Sequence, residues 1–232
     1  GRNEKRKWFY AHRTGGSHQY PGHSGSIRDS AIYFAGNRGK GCYKMAADLT
    51  HAEQATALAD FSKTHGPVDI LVNNVGIFSV KEFAELTDED WLFYLNINVL
   101  SAVRMSRIFL PAMLKRGSGA IINMASEAAV KPLPQMVHYS VTKTAMLGLT
   151  RGMAELTKGT NIRVNSILPG PTWTEGVEAY FEGLAAQKGA PIDTIIDNYF
   201  EIDEPTSLIQ RFVQPDEVAR MIVTISASTA SN

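Results

Sequence analysis

The chain of 232 residues is poor in cysteine: Cys42 stands alone, so no internal disulfide can form and a reducing compartment is the default. It also lacks net charge, because 23 Lys/Arg balance 23 Asp/Glu, and nothing global draws it to nucleic acid or to an anionic membrane. No apolar run reaches the length expected of a membrane span, and the basic opening GRNEKRKWFYAHR is not followed by the apolar stretch a signal peptide needs. No His/Cys/carboxylate cluster suggests a metal. There is no G-x-S-x-G elbow and no phosphate-binding P-loop, which sets aside the usual α/β hydrolases and transferases. What remains is a soluble, cytoplasmic protein without nucleic-acid or membrane partners, of a length that suits one α/β domain.

The first 45 residues lack something more specific. They contain no valine and no leucine, yet hold eight of the 19 glycines and three of the six histidines. Nine Lys/Arg there face two Asp/Glu, so the rest of the chain carries the compensating excess of acid. The opening strands of an α/β domain are buried on both faces and rich in Val, Ile and Leu. Residues 1–45 are therefore anomalous, and they read as frameshifted, scrambled or wrongly assigned sequence. An intact mass matching this sequence on a gene free of indels refutes that reading.

From residue 46 the pattern is conventional. YKMAADLT (43–50) ends a strand at Asp48, and a polar helix over 51–64 follows with Thr50 as its N-cap. VDILVNNVG (68–76) is a short buried strand and its exit. A long helix opens at Thr87-Asp88-Glu89-Asp90 and is expected to bend near Pro111. GSGAIINMAS (117–126) is a turn and strand, 138–158 a helix, and NIRVNSILPG (161–170) a strand stopped by Pro-Gly. Residues 174–212 form a long insertion of helical character, and Pro215-Asp216-Glu217 opens a last helix. Strands alternating with helices every thirty or so residues predict a Rossmann-type, doubly wound parallel sheet in a single domain spanning 1–232. Ligands of such sheets bind beyond the carboxyl ends of the strands. The polar residues at those ends, Asp48, Asn74, Ser126 and Thr172, are accordingly expected on one edge.

Tyr139 and Lys143 are four apart on a helix and so share one face. An ammonium beside a phenol favours the phenolate, which suits a general acid/base; Tyr-x-x-x-Lys is also a common chance pattern. Ser126 ends a strand thirteen residues earlier and reads either as a loop or N-cap serine or as a hydroxyl that meets a substrate oxygen. Asn98 sits inside the long helix, where asparagine is a mediocre choice, with Asn96 two residues away as the bland counterpart. Asn73-Asn74-Val75-Gly76 reads as a turn or as a strand exit where Gly76 admits a ligand to the backbone. Pro169-Gly170-Pro171-Thr172-Trp173-Thr174 offers two hydroxyls on a stiffened loop.

The order Asp48-Leu49, NNVG at 73–76, Asn98, Ser126, Tyr139-x-x-x-Lys143 and Pro169-Gly170 resembles the short-chain dehydrogenase/reductase family over about residues 46–227, and within it the 3-oxoacyl-carrier-protein-reductase-like branch. Val75 stands where the family usually has alanine. The resemblance implies an NAD- or NADP-dependent oxidoreductase that moves a hydride between the nicotinamide and a small alcohol or carbonyl substrate. It implies catalytic roles for Asn98, Ser126, Tyr139 and Lys143: proton exchange at Tyr139, a lowered phenol pKa and ribose binding from Lys143, polarisation of the substrate oxygen by Ser126, and a proton relay held by Asn98. By the same match Asp48 and Leu49 lie near adenine, Asn74 and Gly76 near its ribose, and Thr172 and Thr174 near the carboxamide, with Tyr139 and Lys143 also contacting the coenzyme. A homodimer or homotetramer is implied, with the helices of 99–115 and 139–157 as candidates for pairing. Residues 174–212, with Trp173 before them and Tyr180, Phe181, Tyr199 and Phe200 within, form the expected substrate loop.

Two departures stand against this. The family's glycine-rich nucleotide turn is represented only by Thr14-Gly15-Gly16, Gly22 and Gly25, at the wrong spacing and interrupted by Pro21. KWFYAHR is an unpromising buried strand before it. Beyond 215–227 the resemblance implies another strand and a glycine-rich tail, whereas the chain stops at STASN. The alternative is a catalytically silent relative serving as a binding or assembly module.

Overall fold

The computed structural model describes residues 8–11, 31–35 and 42–227. The strands are β1 (Trp8–Ala11), β2 (Ala31–Ala35) and β3 (Cys42–Ala46). Helix α1 (Ala52–Lys63) and strand β4 (Ile70–Asn73) follow. Then come α2 (Asp88–Leu95), a π turn at Asn96–Leu100, α3 (Ser101–Arg116), β5 (Ser118–Met124), α4 (Val137–Leu156) and β6 (Asn161–Ile167). The last helices are α5 (Glu175–Lys188), α6 (Ile192–Asn198) and α7 (Pro215–Ser226). The chain divides into two compact units, Gly1–Leu168 with Ile225–Asn232, and Pro169–Thr224. The second unit contains the expected insertion at 174–212.

Among the described residues the first unit holds a six-stranded sheet in the order β3-β2-β1-β4-β5-β6. This is the Rossmann order, which reverses direction between β1 and β4 and opens a crevice there. β1, β4, β5 and β6 pair in parallel. β2 runs against both β1 and β3, a hairpin-like departure from an all-parallel sheet. The unpromising segment around Trp8 does form a strand; its aromatic residues suit extended backbone even without Val or Leu. The expected glycine-rich turn, Thr14 to Gly25, lies outside the described residues.

Burial follows the apolar pattern. Leu49, Leu58, Leu71, Met105, Phe109, Met113, Ile121 and Val164 form one core cluster that joins α1, α3 and the sheet. The helical stretch Asp88–Arg116 is long and apolar enough by composition to cross a membrane, but half of its most apolar window is buried inside the protein. Regularity breaks at the π turn 96–100, while α3 runs on through Pro111 to Arg116. At α1 the N-cap is His51, without a side-chain cap bond; the Thr50 hydroxyl instead donates to Asp48 Oδ1 at 2.7 Å.

The second unit is built on aromatic packing. Phe181, Ile195, Phe200 and Phe212 are buried, with Trp173 and Tyr199 against them. Tyr199 stacks on Phe212, with ring centroids 5.6 Å apart, and Phe181 meets Phe212 edge-on. Most aromatics of the insertion thus hold its own helices together, and Tyr180 stays exposed.

Candidate active site

Two successive antiparallel pairings, β3 with β2 and β2 with β1, leave β3 running the same way as β4 and β5, so Asp48 beyond β3, Asn74 beyond β4 and Ser126 beyond β5 all stand at carboxyl ends. Thr172 belongs to the second unit. Behind the exits of β4 and β5 lies a buried polar ladder. Asn73 Nδ2 donates to Asn123 Oδ1 at 2.8 Å and to Ser106 Oγ at 3.0 Å. Asn123 Nδ2 donates in turn to Thr150 Oγ1 at 2.8 Å. Asn73 and Asn123 are register partners, so the ladder ties neighbouring strands where their exits diverge.

Asn98 sits in the π turn, where one extra residue per turn shifts side chains off the regular helical face. It is fully buried. Its Oδ1 accepts from the Ile77 N–H at 2.8 Å, and its Nδ2 donates to the Ile77 carbonyl and to Thr142 Oγ1, each at 3.0 Å. Thr142 Oγ1 donates onward to the Tyr139 carbonyl at 2.7 Å. The amide therefore joins the loop after β4 to the first turn of α4.

Lys143 lies one turn beyond Tyr139 and is 6% exposed. Its Nζ donates to the Met124 carbonyl at 2.9 Å and stands 5.5 Å from the Tyr139 ring centroid. Burial pushes its pKa down from 10.5 to about 8. Gly76 faces this group: a Cβ there would lie 3.3 Å from Lys143 Nζ and 3.6 Å from Asn98 Oδ1. A side chain at position 76 would crowd the ammonium.

Ser126, 9% exposed, caps a short 3-10 turn (Glu127–Ala129), its Oγ accepting from Ala128 N–H at 3.2 Å. The capping role anticipated for a strand-end serine is present, and the same hydroxyl hydrogen-bonds the Tyr139 phenol. Burial pushes the Tyr139 pKa up; the Ser126 bond opposes this and the nearby Glu127 carboxylate adds to it. Desolvation decides the direction, so the phenol is held neutral here and its pKa is raised rather than lowered as expected. Phe78 packs edge-on to the Tyr139 ring at 6.3 Å. The structure thus brings together a neutral phenol, a neighbouring hydroxyl and a buried ammonium with two N–H donors beyond its bond to Met124.

Residues 30–185 match the short chain dehydrogenase family. The chain belongs to that family. It is 57% identical over 186 residues to the uncharacterised oxidoreductase YvrD of Bacillus subtilis, covering 80% of this chain and 71% of the relative. L-sorbose reductase of Gluconobacter frateurii, solved with NADPH and L-sorbose, superposes with a TM-score of 0.74 at 34% identity, over 80% of this chain and 70% of that one. A variant of actinorhodin polyketide ketoreductase solved with NADPH gives 0.73 at 30% identity, over 80% and 71%. This short-chain dehydrogenase is an oxidoreductase.

The remaining expected positions divide. Asp48 turns its carboxylate inward to Thr50, accepting from both its N–H and its hydroxyl. The Leu49 side chain is in the core, so any contact with a ligand falls to its backbone. Asn74 is half-buried at the β4 exit. In the second unit Thr172 Oγ1 donates to the Gly170 carbonyl at 2.9 Å, and Thr174 caps α5. Asn96 is the bland amide it was expected to be, its Oδ1 accepting from Arg104 at 2.7 Å. Reasoning from sequence missed Thr142, Phe78 and His138. Thr142 and His138 flank Tyr139 on its own helix, a signal that was available; Phe78 arrives only through the fold.

Proposed function

We propose that this protein catalyses hydride transfer between a nicotinamide coenzyme, NAD or NADP, and a small secondary alcohol or carbonyl compound. The observation that carries the reading is Lys143: a buried ammonium one helical turn from a neutral Tyr139, facing the backbone at Gly76, with two donors beyond its bond to Met124. Those donors, in the space that Gly76 leaves clear, fit the vicinal hydroxyls of a nicotinamide ribose. The coenzyme, when bound, supplies or accepts the hydride. The chain supplies the proton. In the reductive direction Tyr139 Oη gives its proton to the substrate oxygen, Ser126 Oγ donates a hydrogen bond to that oxygen, and Lys143 stabilises the phenolate left behind. Asn98 keeps Tyr139 in register through Thr142. The NADPH bound in both solved neighbours makes NADPH the first coenzyme to try.

The substrate loop is assigned to 174–212, in a unit that carries its own cleft of about 480 Å³ lined by Trp173, Phe200, Arg211 and Phe212. Pairing of subunits is assigned to the exposed apolar residues Leu100 of the π turn, Leu114 of α3, and Val141 and Leu156 of α4. The deciding experiment screens ketoses, other ketones, aldehydes and secondary alcohols with both coenzymes, then repeats the best reaction with Tyr139→Phe. Turnover is expected to fall at least ~100-fold while coenzyme affinity holds. Full activity in Tyr139→Phe refutes the proposed chemistry.

A further inference from the structure

The first turn of α4 carries Tyr139, yet its N-terminus has no side-chain cap: Met136 at the N-cap position makes no capping bond. Such caps ordinarily hold the opening turn of a helix. Another device is present. His138, immediately before Tyr139, is fully buried. Its ring lies edge-on to Tyr94 at 4.3 Å and to Trp91 at 6.5 Å, both on α2. Tyr94 Oη donates to Ser79 Oγ at 2.5 Å, and Ser79 Oγ stands 3.4 Å from His138 Nε2. Ser79 Oγ keeps a second lone pair besides the one Tyr94 uses, so it can meet His138 Nε2 as donor or as acceptor, while Nδ1 is a buried atom without a hydrogen-bond partner.

The loop after β4 thus meets α4 at three consecutive residues. Ile77 is held by Asn98, which reaches Thr142; Phe78 packs against Tyr139; Ser79 points at His138. Lys81 extends the contact, its N–H donating to the Gln135 carbonyl at 3.1 Å and its Nζ to Asp90 Oδ2 at 2.6 Å.

We propose that His138 is a positioning residue for Tyr139: the chain Tyr94–Ser79–His138 replaces the missing helix cap and fixes where the phenol stands relative to the substrate oxygen. This rests on Tyr139 being the proton donor. A shift of about an ångström in a reacting group can cost a hundredfold in rate, and it leaves the grip on coenzyme intact because that grip belongs to Lys143. The geometry therefore demands a split between turnover and coenzyme binding.

The test compares His138→Leu, His138→Gln, Ser79→Ala and the double variant Ser79→Ala/His138→Leu in full-length protein. Turnover is measured with the screened substrate, and coenzyme affinity by quenching of protein fluorescence with NADPH. His138→Leu keeps bulk and loses the polar contact, so kcat is expected to drop at least ~10-fold with coenzyme affinity within about twofold. Ser79→Ala should fall in the same direction, the double variant no further than His138→Leu, and His138→Gln should recover most of the loss. Retained kcat in His138→Leu, a matching loss of coenzyme affinity, or losses that multiply in the double variant would overturn the proposal. If His138→Leu does not fold, Ser79→Ala and Tyr94→Phe decide by the same split, and unchanged kcat in both counts against it. Tyr139→Phe run alongside separates the two levels. If it is active, the assignment of the proton donor fails; if it is inactive while His138→Leu is fully active, only the positioning role fails.

Discussion

Replacing Lys143 with methionine sets stability against function. A lysine ordinarily titrates at 10.5, and burial pushes Lys143 to about 8. Holding its charge inside the fold therefore costs about 3 kcal/mol at pH 7. The sign follows from proton counting. Between pH 8 and 10.5 the unfolded chain keeps a proton that the native protein has released, so native stability rises with pH through that window; below pH 8 the full cost is present. Lys143→Met has no such charge. It also loses the bond to the Met124 carbonyl, a charge-assisted contribution of roughly 1.5–3 kcal/mol that nearly offsets the gain at pH 7. The decisive quantity is the stability gap between the two proteins measured by urea unfolding at pH 7 and at pH 10. Wild type should gain about 2 kcal/mol on the variant over that range, equivalent to roughly 4–8 °C in Tm for a chain of this size. Coenzyme quenching should vanish in the variant at both pH values. A gap that stays constant with pH would show that Lys143 titrates normally and would refute the buried ammonium at the centre of the site.

Other expectations are quicker to check. Gly76→Ala puts a methyl 3.3 Å from Lys143 Nζ, so coenzyme binding should weaken by roughly 1–3 kcal/mol in fluorescence titration; wild-type affinity would mean that the glycine spares nothing. Asn98→Ala strands the Ile77 N–H and carbonyl and should destabilise by roughly 2–4 kcal/mol in urea unfolding, with turnover lost as well. Burial holds the His138 pKa below 6.5, with Asp90 raising and Lys81 lowering it. Wild type should therefore lose stability as pH falls below 6.5, where the unfolded chain takes up a proton the native imidazole refuses. His138→Gln should lack that component, and parallel acid curves would contradict the neutral, enclosed ring. Sedimentation at micromolar concentration should show dimers or tetramers, whereas monomers alone would remove the assigned pairing face.

The sequence by itself determined the class of fold and the chemical inventory. Local information suffices where the period of apolar residues and the stop signals are local. The helices over 52–63, 101–116 and 137–156 and the strands at 70–73, 118–124 and 161–167 lie close to where spacing put them. Tyr139 and Lys143 share a face because four residues make about one turn, which needs no tertiary contact. Tertiary structure decided everything that depends on residues far apart in the chain. It made Asn98 a clamp, because a π turn and a loop 21 residues upstream meet there. It sent the Leu49 side chain into the core with α3 and the sheet. It ran β2 against its neighbours, a choice of pairing that composition does not encode. It reversed the expected direction of the Tyr139 pKa, since a pKa depends on desolvation as well as on charges nearby, and burial is a property of the folded chain. His138 is the sharpest instance: in the sequence it is one more histidine beside a tyrosine, and only the packing of α2 and the loop after β4 makes it the residue that seats the helix.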